Sequence, residues 1–135
     1  MQIESDKAEI NKPASEIFSF LTNFNNFQKL MPEQVVGWHS TENECHFTIK
    51  NLATIGMKII DKTPNSLIKI SSMPAPNGKL PLDFILSVHL TETAPDKCTG
   101  QFVFEAELNP MLKMMLEKPL SKFFNLLAEK MKDIS

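Results

Sequence analysis

The stretch Asn109–Ile134, NPMLKMMLEKPLSKFFNLLAEKMKDI, decides how the rest of the chain is read. Asn109 is a residue type that caps helices, and Pro110 falls at the first helical position, where a missing N–H costs nothing. Leu112, Leu116, Leu120, Phe123, Leu127, Met131 and Ile134 then recur at three- and four-residue steps, with the charged residues largely elsewhere. This spacing predicts an amphipathic helix of about seven turns. Two features set it apart. Met111, Met114 and Met115 widen the apolar sector of its first half, and Pro119 interrupts the middle. Such a proline leaves the Met115 carbonyl without its donor, at about 3 kcal/mol in a helix interior. It reads as a kink that follows the curvature of whatever the helix covers. The functional alternative is a hinge at a ligand mouth, with the three methionines as adaptable contacts.

Working back from this helix, the chain alternates apolar and polar residues in segments separated by turn residues, the pattern of antiparallel strands. Phe102, Phe104, Ala106 and Leu108 share one face against Gln101, Glu105 and Glu107, with Val103 an exception. Leu82–Thr91 is the cleanest strand: Leu82, Phe84, Leu86, Val88 and Leu90 oppose Asp83, Ser87, His89 and Thr91. Ile68 and Ile70 mark another, and Ile55, Met57 and Ile59 mark one over residues 54–62. Val36 with Trp38, and Cys45 with Phe47 and Ile49, give a hairpin in which Trp38 pairs with Phe47, Val36 with Ile49, and His39 with His46 on the outer face.

The beginning of the chain completes the order. Residues 2–10 read as a first strand. Pro13 then opens a short helix carrying Ile17, Phe18, Phe20 and Leu21. Asn23 caps a second, carrying Phe24, Phe27, Leu30 and Met31, which Pro32 ends. The expectation is an α+β fold of one domain spanning 1–135. A seven-stranded antiparallel sheet curves round the long C-terminal helix, and two short helices lie between strands 1 and 2.

Composition narrows the function classes. The chain has 135 residues, 42% of them hydrophobic, enough for a sizeable core. Fourteen Lys and Arg against 16 Asp and Glu leave a net charge of −2 with no basic stripe, which argues against a nucleic-acid partner. No apolar run approaches the roughly 18–20 residues needed to cross a bilayer, so stable membrane insertion is not expected. The charged opening MQIESDKAEI is not a signal peptide, and the chain reads as cytoplasmic. Cys45 and Cys98 form no CxxC pair and read as reduced, buried thiols.

The order of elements, with INKPASEIFSFLTNFNNFQKLMP near the start and NPMLKMMLEKPLSKFFNLLAEKM at the end, resembles the START/Bet v 1-like superfamily (SRPBCC, polyketide cyclase-like). The resemblance spans essentially the whole chain. It implies a helix-grip architecture around a cavity, in which members hold lipids, sterols, polyketides or other apolar molecules. Some members are cyclases or hydratases, some are chaperone cofactors, and one branch uses metal. No catalytic motif of the enzymatic branches is matched by residues of this sequence.

Periodicity and resemblance together select the candidate site residues. Phe47, Met57, Ile59, Ile70, Phe84, Leu86 and Phe104 from the strands are expected to face Met115, Leu116, Pro119, Phe123 and Leu127 from the helix, around a small apolar ligand. A dry cavity of roughly 300 Å³ would cost on the order of 7 kcal/mol, comparable to a domain's whole stability. A large cavity must therefore be occupied or collapsed, and the phenylalanines supply volume for collapse. Catalytic residues, cofactor and metal are expected to be none. Ser72, Ser87 and Ser121 have no His and carboxylate beside them in sequence, Glu105 and Glu107 face solvent, and His39, His46 and His89 read as exposed. The leading reading is a binder or carrier of a lipid-like or polyketide-like molecule, acting as a monomer or weak homodimer. The alternatives are a cyclase- or hydratase-type enzyme and a protein-interaction or co-chaperone module.

Overall fold

The sheet is antiparallel throughout, its strands running in the spatial order Gln2–Glu4, Lys97–Ala106, Phe84–Ala94, Leu67–Met73, Ala53–Thr63, Glu44–Ile49 and Val35–Ser40, with Ala8–Ile10 also paired to Lys97–Ala106. The computed structural model describes residues 1–80 and 82–134. Its strands are β1 (Gln2–Glu4), β2 (Ala8–Ile10), β3 (Val35–Ser40), β4 (Glu44–Ile49), β5 (Ala53–Thr63), β6 (Leu67–Met73), β7 (Phe84–Ala94) and β8 (Lys97–Ala106). Its helices are α1 (Ala14–Leu21), α2 (Phe24–Phe27), followed by a 3₁₀ turn at Gln28–Leu30, and α3 (Pro110–Met131). The helix-grip arrangement is the one the alternation and the terminal helix imply. Call β1 and β2 one interrupted strand, and the sheet has the expected seven.

That interruption is a local insertion. Glu4 pairs with Val103 and Ala8 with Gly100, so four steps on one strand oppose three on the other. The extra residue is accommodated because Ser5 is buried and uses both its N–H and its hydroxyl on Phe102: the Ser5 N–H donates to the Phe102 carbonyl, and the Phe102 N–H donates to Ser5 Oγ, each at 2.9 Å. Sequence periodicity reads residues 2–10 as continuous because one inserted residue barely disturbs a pattern that is already weak.

A second insertion corrects the first hairpin. Val35 pairs with Ile49, Val36 with Thr48 and His39 with His46, so Gly37 and Trp38 together oppose Phe47. Gly37 adopts φ 64°, a left-handed conformation that glycine enters without steric cost. The bulge keeps Trp38 on Phe47 and His39 on His46. It also turns Val35, not Val36, toward Ile49 and leaves Val36 exposed. In β5 a bulge at Ile60, between the Ile59–Ile70 and Asp61–Lys69 pairs, sends that side chain to solvent. The strand expected at Leu82–Thr91 begins instead at Phe84 and runs on to Ala94.

The inward rows cross several strands. Ile70, Leu86, Phe104 and Ile3 form one, and Ile68, Val88 and Phe102 another. Covering them is shared work. α1 packs on β6, β7 and β8, whereas α3 reaches β1, β2, β8 and the 3₁₀ turn. Ile17, Leu21, Phe24 and Phe27 of the short helices are as deeply buried as Leu127 and Met131 of α3. The short helices thus cover the sheet as fully as α3 does.

α3 is capped as its sequence demands: Asn109 Oδ1 accepts from the Leu112 N–H at 2.9 Å, with Pro110 at the start. Its second half supplies the buried residues Leu120, Phe123, Phe124, Leu127, Ala128 and Met131. In the first half only Leu116 packs partly against the core. Met111, Met114 and Met115 are 73%, 82% and 63% exposed, and Pro119 is exposed too. The helix remains continuous through Pro119, whose orphaned Met115 carbonyl lies on a stretch open to water.

Candidate functional site

Between the sheet and the second half of α3 lies an apolar cavity of about 40 Å³. Phe47, Met57, Phe84, Leu86, Phe104, Phe123 and Leu127, seven of the residues the sequence singled out, line it. Ile49, Ile55, Leu82 and Leu120, which the apolar patterns also turned inward, line it too; sequence reasoning missed Phe27 and Met31 from the short helical segments, Leu52 on the β4–β5 turn and Phe124 of α3. The signal for Phe27 and Met31 was present in their helical spacing, but nothing in the sequence says which wall a short helix faces. Every lining side chain among the described residues is apolar. At about 24 cal/mol per Å³, a void of 40 Å³ costs only about 1 kcal/mol, so the core tolerates it empty.

The cavity is small because phenylalanines fill the space. Phe104 and Phe124 rings stand 5.2 Å apart, Phe84 and Phe104 5.3 Å, and Phe123 meets Phe124 edge-on at 5.5 Å. Offset and edge-on pairs of this kind add stability beyond their buried area.

The remaining candidates fall elsewhere. Ile59 and Ile70 pair with each other across β5 and β6; Ile70 is fully buried in the core, Ile59 half-buried, and neither touches the cavity. Met115, Leu116 and Pro119 line a separate outer groove of about 470 Å³ with Gln34, Lys50 and Asn51. Periodicity placed them inside because it records which side of a helix is apolar, not whether a sheet lies opposite that turn.

The two spaces are separated by four residues that belong to both walls: Ile49, Leu52, Leu120 and Phe123. Leu52 sits on the β4–β5 turn, which Asn51 permits by adopting φ 65°, a conformation asparagine tolerates. The Lys50 N–H donates to the Gln34 carbonyl at 2.8 Å and the Leu52 N–H to the Ile49 carbonyl at 3.0 Å, fixing the turn beside α3. At the other end of α3, Lys130 Nζ donates to the Met31 carbonyl at 3.4 Å.

Electrostatics in this region are bland. No group of three or more His, Cys, Asp or Glu that could hold a metal occurs among the described residues. Cys45 and Cys98 are free and buried. Burial raises both thiols above their ordinary range, and at Cys98 the carboxylate of Glu92, its cross-strand partner, adds to the effect. Both therefore sit as inert protonated thiols at neutral pH. A broader hollow of about 700 Å³ lies on the outward face among Gln2, Asp83, Ile85 and Glu105. It is open to solvent, and Phe84 lines both it and the apolar cavity.

Comparison with solved structures gives the class of fold. A START superfamily protein from Mycobacterium smegmatis aligns over 99% of both chains with a TM-score of 0.68 at 12% identity. Truncated norcoclaurine synthase from Thalictrum flavum aligns over 95% of this chain and 91% of its own, at TM-score 0.70 and 16% identity. The Aha1 dimer from Colwellia psychrerythraea aligns over 98% and 96%, at TM-score 0.63 and 12% identity. The chain thus has the START/Bet v 1-like fold. No protein-family model and no curated protein sequence matches it. No described helix is long and apolar enough to cross a membrane.

Proposed function

We propose that the chain, acting as a single domain, binds a small amphiphilic molecule of lipid-like or polyketide-like character between the sheet and α3. The molecule enters through the groove beside the β4–β5 turn. The observation that carries this reading is the shared wall of Ile49, Leu52, Leu120 and Phe123, with an open groove on one side and an apolar void on the other. The groove has the volume of an ordinary small-molecule site, and the void does not. Binding therefore swings Leu52 and Phe123 aside and lets an apolar tail expand the void, while Gln34, Lys50 and Asn51 at the rim meet a polar head. Affinity comes from apolar burial at about 25 cal/mol per Å².

A purely apolar lining favours binding over catalysis. General acid–base chemistry needs titratable groups within reach of the substrate, and the described cavity lining offers none. Native mass spectrometry of gently purified protein tests the proposal: a bound adduct is expected. If the protein arrives empty and a panel of fatty acids and lipids leaves its Tm unmoved, the reading fails.

One observation favours a second reading. The exposed Met111, Met114 and Met115 form an adaptable apolar surface of the kind that docks onto other proteins. On that reading the same mass spectrum shows no small adduct, and pairs of variants at Met111 and Met114 lose a protein partner without any change in Tm.

A further inference from the structure

The outward face of the first hairpin carries two histidines whose arrangement the cavity does not explain. His39 and His46 are direct cross-strand partners on β3 and β4, and their rings stack with centroids 4.9 Å apart and planes 28° from parallel. The bulge at Gly37 and Trp38 creates this register, since it is what returns His39 to the position opposite His46. Neighbouring polar groups bond elsewhere: Ser40 Oγ donates to Asn25 Oδ1, and Thr41 Oγ1 accepts from the Glu44 N–H. The two imidazoles are left facing each other, at a surface hollow of about 230 Å³ that Glu44 and Met73 also line.

On the far side of His46 the row continues through Gly56 to Met73. A Cβ at position 56 would lie 2.7 Å from the Met73 carbonyl oxygen and 3.1 Å from the Met73 side chain. Gly56 thus lets the end of β6 fold close over β5, and Met73 joins the rim of the same hollow as His46.

We propose that His39 and His46 form a two-imidazole chelate for a divalent transition cation on the outer surface of the hairpin, with solvent in the remaining coordination positions. The register suits this, because it puts the two side chains side by side at one hollow. An imidazole nitrogen binds such a metal at about 2.0–2.1 Å, which puts the ring centroid about 3.2 Å from the ion. The ion must lie in both ring planes, so each imidazole leaves the stack by turning about its side-chain torsions, and the direct cross-strand pairing keeps the two within reach of one ion. Imidazole donors suit Cu²⁺, Ni²⁺ and Zn²⁺, and affinity should rank with Cu²⁺ first. With only two protein ligands, binding is weak. The bound ion staples the edge strand β3 to β4, directly behind Phe47 on the cavity wall.

Titration of purified protein with NiCl₂, CuSO₄ and ZnCl₂ in a non-coordinating buffer, followed by calorimetry, tests the site. One ion per chain is expected, with affinity reduced at least about tenfold in either His39→Asn or His46→Asn, a single lost metal–ligand bond being worth that much or more. His89→Asn, on β7, keeps wild-type affinity. In a parallel melt, NiCl₂ raises the Tm of the wild type and of His89→Asn but not of the other two variants, because only a metal held by the native hairpin stabilises it. Both His39 and His46 lie at the surface, so circular dichroism of the variants should match the wild type. The proposal is overturned if no saturable binding occurs below millimolar metal, or if either His39→Asn or His46→Asn retains wild-type affinity.

Discussion

The indole of Trp38 lies flat on the ring of Phe47, their centroids 5.1 Å apart and their planes 18° from parallel. Phe47 is at the same time a wall of the apolar cavity. Trp38 is the chain's single tryptophan, and there is no tyrosine. Its Nε1 is buried without a hydrogen-bond partner among the described residues, and its ring rests on Phe47, so its emission reports on that contact. Entry of a ligand that displaces Phe47 should therefore shift tryptophan emission, and Phe47→Leu should shift it without any ligand. A ligand seen by mass spectrometry that leaves emission unchanged does not reach the inner cavity.

Phe123 separates groove from void, so shortening it should join them. Phe123→Ala is expected to cost about 3–5 kcal/mol, the usual penalty for emptying a buried phenylalanine site. Phe123→Leu should cost less and still widen the passage. Both variants should bind an apolar fluorescent dye more strongly than wild type well below their melting temperatures. If dye binding rises only as the protein melts, Phe123 is ordinary core and not a partition.

Pro119 offers a test with the opposite sign. Its ring is exposed, so replacing it removes little packing, while Pro119→Ala restores an N–H for the Met115 carbonyl. Stability should rise by about 1–3 kcal/mol, read from a urea midpoint. An unchanged or lower midpoint would mean that the rest of the helix has settled into a path that only proline permits.

Cys45 gives the pH dependence. Its folded-state thiol is held protonated by burial, so the folded chain keeps a proton that the unfolded chain gives up once pH exceeds the ordinary thiol value of 9.0. The stabilisation is complete below that pH and is lost as pH rises beyond it, at up to ~1.4 kcal/mol per pH unit for one thiol. Urea unfolding at increasing alkaline pH should show a steeper decline for wild type than for Cys45→Ala. Parallel declines would show that Cys45 ionises without unfolding.

Much of this architecture could be read from residue order because each element carries its own local signal. Asn109 and Pro110 announce α3, and the alternation through Phe102–Ala106 announces β8. The bulges escaped because each adds a single residue; only Gly37, free to take a left-handed φ, hinted at one. The site was half legible for a related reason. Phe47, Phe84, Leu86 and Phe104 alternate into the interior wherever the sheet is covered, but Met115, Leu116 and Pro119 lie on turns of α3 that extend past it. An apolar stripe states which side of a helix avoids water, and the length of its partner lies in another part of the chain.

The pairing of β1 with β8 also orders events in time. Ile3 finds Phe104 across about a hundred residues, and the Ser5 bonds to Phe102 span a similar interval. At a synthesis rate of about 5–20 residues per second, the β1 segment waits some seconds before its partner exists. Until then the segment has no sheet to join, and when β8 first emerges its free edge is open to any other strand. A nascent chain of this protein is thus most exposed to mispairing at the moment the sheet is nearly complete, and closure of that one long-range edge is the step a chaperone would have most reason to guard.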